Sequence, residues 1–326
     1  MKRIIARLAV GLVQVFAVAT LTFFLIKAMP GNPQTQMVGE LMQRGVSEVD
    51  AQRQAAALFG YNLDASPVQQ FVDYMIGLSQ GNLGISVTNS GQPVAMLIAQ
   101  AVPWTVFIAS TGLLLSFAIG AALGAISAYR RGRRLDRIIT LGASLLNGIP
   151  QYLTAIVLFF LLAIVLPLFP AGGAYSSSTD PGFNLPFLLS VLYFGVLPIL
   201  SIVISSFAGW VLTMKASTVG VLGEDYIMAA RAMAIKDRTI IGSYVARNAM
   251  LPMFTVFGLA LGAVFGGAVF VETVFNYPGL GRLFIDATSS RDAPLMMGCF
   301  LLLTTSVIIA NVITDSLYSR LDPRIR

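Results

Sequence analysis

Six long stretches of this chain are almost free of charged residues, and no other feature limits its possible folds as strongly. A helix needs about 20 mostly apolar residues to cross a bilayer, and each stretch can supply them. Only 11% of the 326 residues are charged, whereas soluble domains carry about 25%. We therefore predict an all-α membrane protein with six transmembrane helices. The predicted helices are Leu8–Ala28, Pro103–Tyr129, Gln151–Leu168, Phe187–Met214, Pro252–Phe275 and Pro294–Tyr318.

Proline and glycine residues set several of these predicted boundaries. The run Pro30-Gly31-Asn32-Pro33 ends the first helix. Pro150 either starts the third helix or bends it, and in the second case the helix begins nearer Ile138. Pro252 is predicted to open the fifth helix, where the missing proline N–H costs no hydrogen bond.

The positive charges are distributed unevenly along the chain. Sixteen of the 21 Lys and Arg residues fall in four short places that six helices would put on one side of the membrane. This asymmetry predicts a multi-pass protein with both termini in the cytoplasm, and it explains the net charge of +6 without nucleic acid. The four places are Lys2, Arg3 and Arg7; Arg130, Arg131, Arg133, Arg134 and Arg137; Lys215, Arg231, Lys236, Arg238 and Arg247; Arg320, Arg324 and Arg326.

The residue inventory excludes several kinds of site. The chain contains no histidine, which removes histidine metal sites, Ser-His catalysis and histidine proton relays. No phosphate-binding loop of the form G-x-x-x-x-G-K-[ST] is present, so we expect no ATP site of that kind in this chain. The single cysteine, Cys299, lies in a predicted span and gives no disulfide. We expect no bound metal or cofactor and no enzymatic activity.

We predict that the region between the first two helices lies on the extracytoplasmic side of the membrane. We divide the chain into residues 1–29, residues 30–102 and a core of residues 103–326 that includes a cytoplasmic loop at 215–252. Within 30–102, Ser47 and Asp50 resemble a capping pair at the start of an amphipathic helix that ends at Gly60. A second short helix is predicted over Pro67–Leu78.

Two glycine patterns predict close contacts between helices. In lipid, small residues four apart let helix backbones approach each other. Such a face can pack against a second subunit or inside one helix bundle, and the sequence leaves both possibilities open. The residues are Gly120 and Gly124 in the second helix, and Gly258, Gly262 and Gly266 in the fifth.

The stretch Glu224–Pro252, EDYIMAARAMAIKDRTIIGSYVARNAMLP, is a charged island between two apolar runs. Lipid does not solvate its charges, so the island lies outside the bilayer. Glu224 and Asp225 favour a helix start, because acidic side chains suit the positive end of the helix dipole. We predict a break near Ala234–Asp237, and a second helix from Asp237 to Asn248.

A second segment, Val271–Gly298, reads VETVFNYPGLGRLFIDATSSRDAPLMMG and is predicted to lie on the far side. Its Pro278-Gly279-Leu280-Gly281 run indicates a tight reversal. Glu272 lies deep near the end of the fifth helix, where a carboxylate marks a functional site or a structural ion pair. Arg282 and Arg291 are the candidate partners, and direct contact with a substrate is the alternative.

These two segments resemble the permease subunits of ABC importers of the oligopeptide/dipeptide class. That family reads E-D-Y-[IV]-x-x-A-R-A-K-G-L and R-N-A-L-L-P, then V-E-x-V-F-x-x-P-G-L-G, and ends in L-D-P-R, as do Leu321–Arg324 here. Met233-Ala234 replaces the family's Lys-Gly, so the turn there is either more helical or slightly strained.

The resemblance implies a type I ABC importer permease fold with an extracytoplasmic insertion between helices 1 and 2. It assigns a role in coupling to a partner ATPase to one group of residues, and a role in an extracytoplasmic gate or loop to another. The coupling group is Glu224, Asp225, Ala229, Ala230, Arg231, Ala234, Lys236, Asp237, Arg247, Asn248 and Pro252, and the gate group is Glu272, Pro278, Gly279, Gly281, Arg291 and Asp292.

The resemblance also implies partners and a cargo. The partners are a homologous second permease, two P-loop ATPases that hold ATP and Mg, an extracytoplasmic solute-binding protein and membrane lipid, in a bacterial or archaeal cytoplasmic membrane. Peptides are the expected cargo; nickel, glutathione or an oligosaccharide are the alternatives. A self-sufficient channel or secondary transporter is a competing function, and an intramembrane enzyme is a third.

Overall fold

The computed structural model describes residues 2–28, 33–43, 45–59, 65–89 and 91–321, and these residues are predominantly helical. Extended pairing among them is limited to one isolated bridge, between Ile85 and Pro93. The all-α prediction is therefore confirmed. In chain order the helices are α1 (Lys2–Lys27), α2 (Pro33–Gln43), α3 (Glu48–Phe59), α4 (Pro67–Ser79), α5 (Val94–Tyr129), α6 (Arg134–Asn147), α7 (Gln151–Phe159), α8 (Leu185–Leu222), α9 (Asp225–Ala232), α10 (Asp237–Thr239), α11 (Ala246–Val274), α12 (Leu280–Ser289) and α13 (Ala293–Leu321), with π-helical turns at Phe160–Val165 and Ile240–Val245.

Within the described residues, four stretches of helix are long and apolar enough to cross a membrane. They are Val94–Tyr129, Leu185–Leu222, Asp237–Leu261 and Ala293–Val312. The bent pair α6–α7 adds a fifth if it forms one span, and α1 contributes a shorter apolar helix at Ala9–Leu25. The chain is thus a multi-pass helical protein with four to five candidate spans.

Several helix boundaries differ from those that the prolines indicated. Helix α5 begins nine residues before Pro103, and α11 begins six residues before Pro252, so both prolines lie inside helices. Membrane helices tolerate interior proline, because neighbouring groups can satisfy the freed backbone carbonyl. The prediction that Pro252 opens the fifth helix is therefore wrong. Helix α8 also continues eight residues beyond Met214.

The third predicted span is broken into two helices. Helices α6 and α7 meet at an angle of 97° across residues 148–150. Pro150 caps the start of α7 with φ −58° and ψ 140°, and the residue before a proline is disfavoured in the α region. Pro150 therefore starts one helix and also bends the pair, so both readings of the sequence hold in part.

One compact unit comprises Met1–Thr105 and Pro278–Ile309. Its buried side chains include Phe23 of α1, Tyr74 of α4 and Met297 of α13. Helix α3 starts as predicted, with the Asp50 N–H donating to Ser47 Oγ at 3.2 Å and Ser47 Oγ donating to the Asp50 carboxylate at 2.7 Å. Pro30–Asn32, Gly60 and the terminal Asp322-Pro323-Arg324 lie outside the described residues.

The other unit comprises Val106–Tyr277 and Ala310–Arg326. Here α5 packs closely on α8 through Gly120 and Gly124. A Cβ on Gly120 would come within 2.8 Å of the Phe207 carbonyl oxygen, and a Cβ on Gly124 within 2.6 Å of the Val211 carbonyl oxygen. This pair of glycines therefore packs inside one chain. Trp210 Nε1 donates to Ser116 Oγ at 3.2 Å across the same contact.

Helices α9, α11 and α12 end in the same way. Each closes with a Schellman motif, in which two N–H groups beyond the helix donate back to its last turn. The residue in the left-handed conformation is Ala234 (φ 55°), Asn276 (φ 49°) or Arg291 (φ 55°). Glycine is the usual residue at this position and asparagine the next, so of these three helix ends only the one at Asn276 carries a recognised sequence signal.

Candidate functional site

The charged island begins where α8 ends. Gly223 caps α8, and Glu224, with extended backbone, caps the start of α9. Asp225 is the first helical residue, so its carboxylate lies beside the positive end of the helix as expected. The island is thus joined directly to a membrane helix, and its other end passes into α11 without an intervening loop.

The island has a small apolar core of its own. Ile227 and Ala230, three residues apart on one face of α9, are buried against Ile240 and Val245. Ile235 and the end of α8 complete this cluster. Ala230 is only 1% exposed, so it supports the island from within, and it is not part of the outer surface.

The break after α9 is the Schellman motif at Ala234. Ile235 N–H donates to the Ala230 carbonyl at 3.2 Å, and Ala234 N–H donates to the Arg231 carbonyl at 2.9 Å. The replacement of the family's Lys-Gly by Met233-Ala234 has therefore kept the helix break. Because alanine at φ 55° is disfavoured by roughly 1 kcal/mol relative to glycine, the turn is slightly strained.

The second helix of the island begins at Asp237 as predicted, but it contains a π-helical turn and continues into α11 without a break at Asn248. Lys236 caps α10, and Asp237 is its first residue. The α-helix lasts only to Thr239, a π-helical turn covers Ile240–Val245, and α11 follows. A π-helical turn holds one more residue per turn than an α-helix and occurs often at functional sites.

The outer surface of the island consists of small, apolar and charged side chains. Ala229 and Ala232 of α9 are exposed, together with the large side chains of Met228 and Met233. Within the described residues, the charged side chains of the island are exposed and make no ion pair with one another. These are Glu224, Asp225, Arg231, Lys236, Asp237, Arg238 and Arg247.

Hydrogen bonds hold the island against the membrane helices. Asn248 Nδ2 donates to the Tyr226 hydroxyl at 3.0 Å and to the Tyr244 carbonyl at 2.8 Å, which joins α9 to α11. Ser217 Oγ donates to the Ala249 carbonyl at 2.8 Å, which joins α8 to α11. A displacement of α9 would consequently be passed to α8 and α11 together.

A buried polar cluster surrounds Lys215, two residues before Ser217 on α8, and sequence reasoning missed it. The Asp136 carboxylate accepts hydrogen bonds from Lys215 Nζ (2.6 Å), Ser127 Oγ (2.6 Å), Gly132 N–H (2.9 Å) and Thr140 Oγ1 (3.1 Å). These contacts join α5, α6 and α8. The one signal in the sequence was a single aspartate among five arginines at positions 130–137.

The second segment starts at the end of α11, where Glu272 is fully buried. Its carbonyl accepts a hydrogen bond from Tyr277 N–H at 2.8 Å. Burial, and after it the negative charge of Glu272, raises the pKa of the Tyr277 hydroxyl. Glu272 thus lies beside Tyr277, while Arg282 forms an ion pair with Asp286 at 3.5 Å; the pairing of Glu272 with Arg282 or Arg291 stays a prediction.

The Pro278–Gly281 run leads into a helix, where the sequence indicated only a reversal. Gly279 caps α12, and Gly281 is buried within its first turn. Leu280 N–H donates to Thr105 Oγ1 at 2.8 Å, which fixes the start of α12. Pro278 is exposed and directly precedes this cap.

Asp292 joins the two parts of the chain that make up its compact unit. Its buried carboxylate accepts hydrogen bonds from Ser86 Oγ (2.6 Å), Thr88 N–H (3.0 Å), Thr88 Oγ1 (2.9 Å) and Leu295 N–H (3.2 Å). Arg291, by contrast, is exposed in the left-handed conformation. Asp292 therefore fixes the region around residue 86 to the start of α13.

The remaining glycine face lies in α11. Gly258 is buried, whereas the side-chain surroundings of Gly262 and Gly266 lie outside the described residues. Across the part of the chain that the structure describes, no group of three His, Cys, Asp or Glu residues is placed to hold a metal ion. What the described geometry provides is an exposed, charged surface on helices that are continuous with candidate membrane spans.

Comparison with known proteins agrees with this arrangement. Residues 120–326 match the family described as binding-protein-dependent transport system inner membrane component. The chain is 31% identical to the oligopeptide transport system permease protein AppB of Bacillus subtilis (99% of this chain, 98% of the relative). It is 33% identical to the dipeptide transport system permease protein DppB of Escherichia coli K12 (99% and 98%) and 33% identical to a di/tripeptide permease of Pseudomonas aeruginosa (95% and 94%). The chain belongs to the family of binding-protein-dependent inner-membrane transport components.

Proposed function

We propose that this chain is the membrane permease subunit of an ATP-driven, binding-protein-dependent importer of dipeptides or oligopeptides. It forms half of the translocation pore and has no ATP site of its own. The observation that carries the proposal is the charged island, an exposed short helix joined without a flexible linker to α8 and α11. The names of the relatives support peptides as the cargo.

The island is the proposed contact with a separate ATPase. Its exposed alanines and methionines offer a smooth apolar surface, surrounded by charged side chains without partners of their own among the described residues. Interfaces of this kind bury an apolar centre within a polar rim. A push on α9 would reach α8 and α11 as a rigid-body displacement.

The rest of the assembly follows from the same proposal. A homologous second permease completes the pore, two ATPase subunits bind ATP and Mg, and an extracytoplasmic solute-binding protein delivers the peptide. The proposed fold has six transmembrane helices, an insertion at residues 30–102, and both termini in the cytoplasm. Transport proceeds by alternating access, in which ATP binding closes the cytoplasmic side of the pore.

The decisive experiment changes the outer surface of the island without disturbing its core. Ala229 is exposed, so Ala229→Arg adds bulk and charge where the partner would dock. We expect ATP-dependent uptake of a labelled dipeptide into membrane vesicles to fall at least about tenfold, with the chain present in the membrane at its normal level. Co-purification of the ATPase subunits should fall in parallel.

Gln54→Arg provides the matched control, because it adds the same charge to an exposed position of α3. We expect this variant to transport normally. Normal uptake and normal ATPase recovery with Ala229→Arg would show that the island is not the docking surface. Uptake that continues after ATP is removed would favour a channel or a secondary transporter.

A further inference from the structure

The turn between α5 and α6 carries a dense group of positive charges. Arg130, Arg131, Arg133, Arg134 and Arg137 lie within eight residues, and all five are exposed. In the described part of the chain none of them lies in an ion pair. The one nearby acid, Asp136, is buried, and its carboxylate is already bonded to Lys215, Ser127, Gly132 and Thr140.

Helix α6 has two opposite faces because of its residue spacing. At 100° per residue, Asp136 and Ala143 fall on one side, where α6 packs on Ala208 and Val211 of α8. Arg134, Ile138, Leu141 and Leu145 fall within an arc of about 60° on the other side.

The outward face of α6 has a cationic, anion-binding group at one end and an apolar surface along its length. Ile138, Leu141 and Leu145 are 68%, 64% and 75% exposed. From Arg134 to Leu145 the helix rises about 16 Å, which is close to the length of an extended acyl chain. Since α5 is a candidate span that ends at Tyr129, the arginines lie where a membrane helix leaves the bilayer.

We propose that this face binds an acidic phospholipid, whose phosphate lies among the guanidinium groups of Arg130–Arg137 and whose acyl chain follows Ile138, Leu141 and Leu145. Guanidinium groups bind phosphate oxygens in a bidentate manner. An acidic protein surface would satisfy the arginines but not the aliphatic row that continues from them, so the lipid is the better match. The inference depends on membrane residence alone and does not require the proposed peptide cargo.

Native mass spectrometry of the full-length chain in its transporter complex tests the proposal. The probes are phosphatidylglycerol and phosphatidylcholine with identical acyl chains, and glycerol 3-phosphate as the free headgroup. We expect phosphatidylglycerol to bind at least about 25-fold more tightly than phosphatidylcholine, and glycerol 3-phosphate not to displace it. Because each arginine near an anionic lipid contributes roughly fivefold, Arg134→Gln with Arg137→Gln should weaken phosphatidylglycerol binding about 25-fold.

Three further variants separate the contributions. Arg134→Lys with Arg137→Lys keeps the charge and should retain most of the binding. Arg53→Gln removes one charge from an exposed position on α3, far along the chain from both the arginine group and the charged island, and should leave binding unchanged. Leu141→Ser with Leu145→Ser should weaken both lipids by a similar factor, because it removes the acyl-chain surface.

Equal binding of the two lipids, or unchanged binding in the Arg→Gln pair, would overturn the proposal. Displacement by glycerol 3-phosphate at equal concentration would indicate a site for free phosphate. Phosphatidylglycerol bound only by the isolated chain, and excluded from the complex, would show that another subunit covers this face. Each of these results is distinct from the outcome of the Ala229→Arg uptake experiment.

Discussion

The charged island and the second segment are matched by equally specific sequence patterns, yet most of the island is exposed and much of the second segment is buried. In the island, the buried side chains are Ile227, Ala230, Ile240, Val245 and Ala249, and most others are exposed. In the second segment, every residue from Asp292 to Gly298 is buried. Its carboxylate Asp292 has four hydrogen bonds within the chain.

The difference concerns what completes each segment. From Asp292 to Gly298 the second segment is buried within its own chain, where Asp292 also finds its hydrogen-bond partners, so this part supports the fold. The island has only enough core to stay helical, and its outer charges and methionines are left to solvent or to another protein. A pattern match by itself does not distinguish a surface of this kind from a buried support.

The largest expected effect is at Asp292. Asp292→Ala removes a buried acceptor and leaves the Ser86 and Thr88 donors without it, so we expect a loss of about 3–5 kcal/mol in the free energy of unfolding. Thermal unfolding in detergent provides the measurement. Asp286→Ala is the control, because Asp286 is exposed and its ion pair with Arg282 should contribute less than about 1 kcal/mol. Equal melting of both variants would remove the contrast between the two segments.

A substitution at Lys215 tests whether the contact with Asp136 under the island stabilises the fold as much as the Asp292 contacts in the second segment do. Lys215→Met leaves the buried Asp136 carboxylate without its cation, which should cost about 3 kcal/mol. The exposed Lys236→Met should change the free energy of unfolding by less than about 0.5 kcal/mol. A wild-type melting curve for Lys215→Met would show that the cluster does not hold α6 on α8.

Neighbouring alanines separate the inside of the island from its outside. Ala230→Arg places a charge in the cluster of Ile227, Ile240 and Val245, and should destabilise the island locally by about 2 kcal/mol or more. Ala229→Arg should leave local stability unchanged within about 0.5 kcal/mol. Hydrogen exchange of α9 amides measures both. If the two variants exchange alike, the assignment of an inner and an outer face is wrong.

The smallest expected effect is at the helix break. Ala234→Gly relieves the left-handed alanine and should stabilise the end of α9 by roughly 0.5–1 kcal/mol. Ala232→Gly, in the last helical position of α9, should destabilise it by a similar amount. Slower amide exchange in the first variant and faster exchange in the second are expected; the opposite order would contradict a strained turn.

Sequence patterns predicted the helical membrane class, the start of α9 at Glu224 and Asp225, and the capping of α3 by Ser47 and Asp50. These depend on local composition and on side chains a few residues apart. The patterns misplaced the starts of α5 and α11, because they treated Pro103 and Pro252 as boundaries. They also gave no sign of the α12 helix after Gly279, since a Pro-Gly pair looks the same before a turn or before a helix.

The sequence by itself determined which parts of the chain favour lipid and which favour water. Hydrophobicity and charge belong to single residues, so they can be read along the chain. That was enough for the fold class, the charged island and the family. The tertiary structure decided which polar groups are satisfied: Lys215 meets Asp136 across 79 positions, and Ser86 meets Asp292 across 206. It also decided that Ala230 faces inward and Ala229 outward. Such contacts depend on how distant helices pack, and no local pattern carries that information.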